Sequence, residues 1–131
     1  VLIYEEVMIR VTIPLSESSR DILAVSVRSA IGRIEKSSLK SDPKKGDSRG
    51  GATYFWGMAE VELEECSLEG YLGVHAIGCA RAVAKKCTIA APGGCFCTTD
   101  PEPVQSTIIA EQCTWSGKKT ALHAGSTFKE R

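Results

Sequence analysis

The sequence predicts an all-β chain wound as a right-handed parallel β-helix of about five coils. Three observations predict it. A ten-residue phrase occurs three times, as VELEECSLEG (Val61 to Gly70), AVAKKCTIAA (Ala82 to Ala91) and IIAEQCTWSG (Ile108 to Gly117). Each copy reads apolar, two polar residues, Cys, Ser or Thr, a large apolar residue, then small ones. The repeat is too short for a helix pair, and neither the phrase nor its surroundings hold a 3.6-residue period. Finally, stacking the copies about 4.8 Å apart, as parallel strands require, makes columns of matching character.

Two weaker copies lie upstream, IYEEVMIR (Ile3 to Arg10) and RIEKSSLKS (Arg33 to Ser41). With them the anchors Tyr4, Ile34, Leu63, Ala84 and Ala110 step by 30, 29, 21 and 26 residues. A second phrase falls between: DILAVSVRS, GATYFWGMA, LGVHAIGCA, GGCFCTTDP and KTALHAGST. The alignment predicts a small inward column, Val7, Ser37, Cys66, Cys87 and Cys113. It predicts an apolar column two residues on, Ile9, Leu39, Leu68, Ile89 and Trp115. Glu6, Lys36, Glu65, Lys86 and Gln112 would form an exposed column of alternating sign, which stacked neighbours prefer. The column beside it, Glu5, Glu35, Glu64, Lys85 and Glu111, is less balanced. A rival reading makes Ser16 to Ile34 an amphipathic helix with Leu23, Val27, Ala30 and Ile34 on one face. The β-branched content of DILAVSV and its alternation favour a strand.

The chain reads as one β-helix domain over residues 1–131, a segment of a larger protein, since it lacks an initiator Met. Measured against the 21-residue coil, insertion loops fall at residues 11–21 and 40–50. Two loops leaving one corner of a solenoid form a usual recognition surface. The second, rich in Gly, Pro and basic residues, offers Lys44, Lys45 and Arg49 as a candidate partner loop. PEPVQ, Pro101 to Gln105, reads as a rigid turn.

Sixteen basic and sixteen acidic residues cancel, which argues against a polyanion partner. No apolar run approaches the roughly 20 residues of a membrane span. Six cysteines could pair as three bridges, yet Cys66, Cys87 and Cys113 recur in one context, and Cys79, Cys95 and Cys97 sit among apolar or small residues. That pattern suits buried thiols in a reducing compartment, cytoplasmic or nuclear. A zinc site from His75, Cys79, Cys95 and Cys97 lacks a second close ligand pair. No His stands at a fixed offset from a Cys to activate it, and His75 and His123 lie two coils apart, too far to share a metal. No cofactor or metal is expected.

Tyr54, Phe55 and Trp56 are the densest aromatic cluster. If the strand alternates, Tyr54 and Trp56 share a face with Val25, Val27, His75, Ile77 and Phe96, which reads as core. The alternative is an exterior aromatic stripe, with Tyr54, Trp56 and His75 as a candidate ligand face.

The stretch GVHAIGCARAVAKKCTI and the three Cys phrases, roughly Ile34 to Thr127, resemble the β-helix repeats of the pectin-lyase-like superfamily, including the carbohydrate-binding and sugar-hydrolase repeats found in some F-box proteins. The resemblance implies a solenoid and, for the family's enzymes, acidic clusters holding calcium or a carboxylate pair for glycoside hydrolysis. This chain has four Asp only, Asp21, Asp42, Asp47 and Asp100, and none repeats up a strand. No catalytic residue carries over. The expected function is therefore a non-catalytic interaction or scaffold module for a protein partner or neighbouring solenoid coils, with end-to-end self-association as a further expectation. The alternative is a carbohydrate-binding or reduced lyase-like domain.

Overall fold

A computed structural model describes residues 1–11, 15–20, 23–42, 51–98, 105–117, 120–121 and 126–131. Among them the chain forms only β-strands, taken up in threes. The first triplet is β1 (Leu2–Glu5), β2 (Met8–Val11) and β3 (Ser16–Ser18), and the second is β4 (Leu23–Arg28), β5 (Ile31–Glu35) and β6 (Ser38–Lys40). The third is β7 (Gly51–Trp56), β8 (Glu60–Glu64) and β9 (Ser67–Glu69), and the fourth is β10 (Leu72–Ala76), β11 (Arg81–Lys85) and β12 (Thr88–Ala91). Then follow β13 (Gly94–Thr98), β14 (Thr107–Glu111), β15 (Thr114–Gly117), β16 (Thr120–Ala121) and β17 (Thr127–Glu130).

Each triplet gives one strand to each of three sheets, so the chain is a parallel β-solenoid. The first sheet runs β1-β4-β7-β10-β13-β16, the second β2-β5-β8-β11-β14-β17, and the third β3-β6-β9-β12-β15. Alternation within each strand sends one set of side chains inward. Val25, Val27, Phe55, Val74 and Phe96 fill the core from the first sheet, and Ile34, Leu63, Ala84 and Ala110 meet them from the second, all fully buried. Leu39, Leu68 and Ile89 close the core from the third.

The sharp corners between sheets have a backbone signature. Between the first and second sheets, Glu6, Ser29, Gly57 and Gly78 take positive φ of 52°, 51°, 69° and 75°. Between the second and third, Lys36, Glu65, Lys86 and Gln112 take φ of 51° to 53°. An L-residue pays on the order of 1–2 kcal/mol for that conformation. At the second of these corners it turns the chain while leaving the long polar side chain in water and the next residue, Ser37, Cys66, Cys87 or Cys113, turned toward the core.

From the second triplet onward the columns of the second and third sheets stand as the sequence predicts: Ile34, Leu63, Ala84 and Ala110 are register partners, as are Leu39, Leu68, Ile89 and Trp115. The first triplet corrects the alignment. Val11, not Tyr4, pairs with Ile34, and Tyr4 pairs with Val27 on the first sheet. Glu6 therefore belongs to the Ser29 corner, its amide bonded to the Arg28 carbonyl at 2.9 Å. Val7 is 49% exposed instead of inward. Ile9 faces Gly32 in the second sheet, and Glu17 takes the place expected for it above Leu39. The column of mixed sign keeps Glu35, Glu64, Lys85 and Glu111 but loses Glu5, which pairs with Arg28. Arg33 bridges its two like charges, ion-paired to both Glu35 and Glu64.

The helix expected as a rival over Ser16 to Ile34 is replaced by β3, β4 and β5. The first insertion loop is likewise partly strand, because β3 pairs with β6 residue for residue. Lys40 ends β6, and the rest of the second loop from 43, with Lys44, Lys45 and Arg49, lies outside the described residues. So do His123 and most of Pro101 to Gln105.

Candidate functional site

The outward columns of the first sheet bring the aromatic cluster together. Ile3, Ser26, Tyr54 and His75 are successive register partners, and Glu5, Arg28 and Trp56 are the next outward column. This corrects the expected grouping: Val25, Val27 and Phe96 point inward with Thr53 and Phe55, while Tyr54 and Trp56 point the other way. The reason is a shift of one residue, since successive positions in a strand face opposite sides.

Tyr54 and Trp56 lie nearly parallel, 25° apart with ring centres at 6.0 Å, and Tyr54 also meets the His75 ring at 5.1 Å. His75 is fully buried and supports Tyr54 rather than facing solvent. The Trp56 indole Nε1 donates to Ser26 Oγ at 3.3 Å. The Arg28 guanidinium carbon stands 5.4 Å from the Trp56 ring centre, and Nη2 lies 3.2 Å from Glu5 and 3.6 Å from Glu6. A depression of about 420 Å³ opens beside them, lined by Ile3, Glu5, Ser26, Tyr54 and Trp56 with Val1 and Leu23 at its margin. Ile3 is 64% exposed. Ile3 and Glu5 were not legible as part of this face because the repeat pattern assigns the first triplet to the other corner, and Ser26 and Arg28 because the one-residue shift puts Val25 and Val27 in their place.

A second arrangement lies at the corner between the second and third sheets, where Ser37, Cys66, Cys87 and Cys113 stack. Cys66 Sγ lies 3.5 Å from the Ile34 carbonyl, Cys87 Sγ 3.7 Å from that of Leu63, and Cys113 Sγ 3.3 Å from that of Ala84. Each thiol thus reaches one coil back. Cys66 and Cys87 are buried and Cys113 half-buried. Hydrogen bonding with the neighbouring Cys113 and Cys66 thiols, reinforced by burial, pushes the Cys87 thiol strongly up. The same bond from Cys87 lowers Cys66, and brings Cys113 down to about 7 against the opposing effect of burial. Cys95, apart from the ladder, is pushed up by burial. Cys66, Cys79, Cys87, Cys95 and Cys113 are all unpaired as disulfides. No group of three or more metal-ligating side chains occurs among the described residues.

The third sheet adds a feature the repeat only hinted at: Ser16, Ser38, Ser67, Thr88 and Thr114 form a continuous outward ladder of hydroxyls. Among the described residues no helix is long and apolar enough to cross a membrane. No protein family, curated protein or solved structure matches this chain.

Proposed function

We propose that this chain is a non-catalytic interaction module that presents the outer face of its first sheet to a protein partner. The observation that carries the reading is that Trp56 and Tyr54 line one depression with the exposed Ile3, while Arg28 stands over Trp56 beside it. Trp, Tyr and Arg are the residue types that dominate binding energy at protein interfaces, and an adjoining apolar side chain completes the usual anchor. The ion pair of Arg28 with Glu5 at the margin fits a polar rim.

A second reading, a carbohydrate-binding domain in keeping with the pectin-lyase-like resemblance, is favoured by the near-parallel Tyr54 and Trp56 rings. A sugar stacks on an open ring face, and here Arg28 stands over Trp56 while His75 flanks Tyr54. That crowding ranks the reading second.

The test is proximity labelling from the intact protein, run in parallel with a saccharide array, for the wild type, Trp56→Ala and Ser67→Ala. A set of proteins labelled by the wild type and Ser67→Ala but lost with Trp56→Ala supports the partner face. Labelling indifferent to Trp56→Ala rejects that face. Saccharide retention lost in Trp56→Ala transfers the site to the second reading.

A further inference from the structure

We infer that Cys113 and Cys87 form a peroxide-reactive pair, in which a hydroperoxide oxidises the half-buried Cys113 and the buried Cys87 resolves it to a disulfide joining adjacent coils. The inference is independent of the partner face on the first sheet.

Geometry carries it. The two residues hold equivalent places on successive coils: Thr88 and Thr114, the next residue in each, are register partners, and the Thr114 amide bonds to the Cys87 carbonyl at 2.9 Å. Stacked parallel strands lie about 4.8 Å apart, inside the roughly 4.4–6.8 Å between Cα atoms that a disulfide spans. Both thiols follow a positive-φ residue, Lys86 or Gln112, which turns them to the same side. Both sulfurs reach back to the preceding coil, Cys87 Sγ to the Leu63 carbonyl and Cys113 Sγ to that of Ala84. Exposure sets the order of events, since Cys113 is half-buried whereas Cys87 is 1% exposed.

The sequence offers no histidine to activate a cysteine here, and the ladder supplies the substitute. The buried Cys87 thiol keeps its proton, its Sγ set against the Leu63 and Lys85 carbonyls at 3.7 and 3.4 Å, while the neighbouring Cys87 thiol lowers Cys113 to about 7, so that Cys113 carries thiolate near neutral pH. The Cys113 thiolate attacks the outer oxygen of the hydroperoxide. The O–O bond breaks, Cys113 becomes a sulfenic acid, and the leaving alkoxide or hydroxide takes a proton from solvent. Cys87 sulfur then attacks Cys113 sulfur. The S–S bond forms, the S–O bond breaks, and the departing hydroxide leaves as water with the Cys87 proton. Two thiols lose two electrons in all, and the hydroperoxide gains them.

Cys79 is exposed and lies at a different corner, so it reports ordinary thiol reactivity within the same molecule. The experiment treats reduced, folded protein with a small excess of hydrogen peroxide, blocks remaining thiols with N-ethylmaleimide, and maps the peptides without reduction. The expected result is a Cys87–Cys113 disulfide that dithiothreitol reverses, formed at least about fivefold faster than Cys79 is lost. In Cys87→Ala, Cys113 should be oxidised more slowly at neutral pH, because the lowering effect of Cys87 is lost, and should stop at a sulfenic acid that dimedone captures. Circular dichroism checks that this variant is folded, and the wild-type map decides if it is not. Cys113 left as thiol while Cys79 is oxidised would overturn the inference, as would a Cys66–Cys87 link with Cys113 untouched.

Discussion

The Arg28 guanidinium lies over Trp56, 5.4 Å from the ring centre, and at the same time holds Glu5 at 3.2 Å. One side chain thus ties three successive strands of the first sheet together across its outer face. Because both charged groups are well exposed, the ion pair itself adds on the order of 1 kcal/mol or less. Arg28→Ala is expected to lower stability by about 1 kcal/mol, including the lost ring contact. It should also open Trp56 to acrylamide quenching, read in a Trp115→Phe background. Unchanged quenching would show that Arg28 does not cover the ring.

Cys87 sits in the middle of the inward ladder with 1% of its surface exposed. Cys87→Asp is expected to abolish folding, because an unpaired carboxylate there costs several kcal/mol. Cys87→Ala and Cys87→Val should remain folded, with losses of about 1–2 kcal/mol. Urea melts followed by circular dichroism distinguish the three; equal tolerance would mean the side chain does not face the core.

Gly32 marks a tight approach between the first two coils. A Cβ at that position would lie 2.4 Å from both the Cβ and the carbonyl oxygen of Ile9, so the backbone of β2 must move to admit one. Gly32→Ala should destabilise by about 1–3 kcal/mol despite the small size of the change, measured as a shift in the urea midpoint.

At the corners the opposite substitution helps. Gln112 holds φ of 53°, a conformation Asn adopts more readily than Gln. Gln112→Asn is expected to raise stability by about 0.5 kcal/mol, visible as a small upward shift in the thermal midpoint, whereas a β-branched residue there should lower it.

The ladder makes a pH prediction. Hydrogen bonding from Cys87 lowers Cys113 to about 7, and the thiolate is the reactive form. Alkylation of Cys113 by iodoacetamide should therefore rise with pH through a midpoint near 7. In Cys87→Ala, which removes the donor, the midpoint should move upward. A profile that ignores this substitution would place the cause outside the ladder.

By itself the sequence determined the fold class and, for the second to fifth triplets, the register of the second and third sheets. A Cys or Ser, a hydroxyl residue and a large apolar residue in fixed order encode one corner and the strand after it, and parallel stacking repeats that order as columns. The first triplet was illegible because the solenoid has two corners with the same local pattern. Glu6 and Lys36 are both polar residues at positive φ, and only their partners separate them: the Glu6 amide bonds Arg28, on the first sheet, and the Lys36 amide bonds Glu64, on the second. β3 carries no apolar signal in Ser16, Glu17 and Ser18, and exists as a strand because β6 supplies its hydrogen bonds. The aromatic face was hidden for a related reason. Alternation tells which residues of β7 share a side, but Thr53 with Phe55 and Tyr54 with Trp56 are both plausible inner sets. The packing of three sheets around one core made the choice: Phe55 went in, and Tyr54 and Trp56 were left outside, beside Arg28.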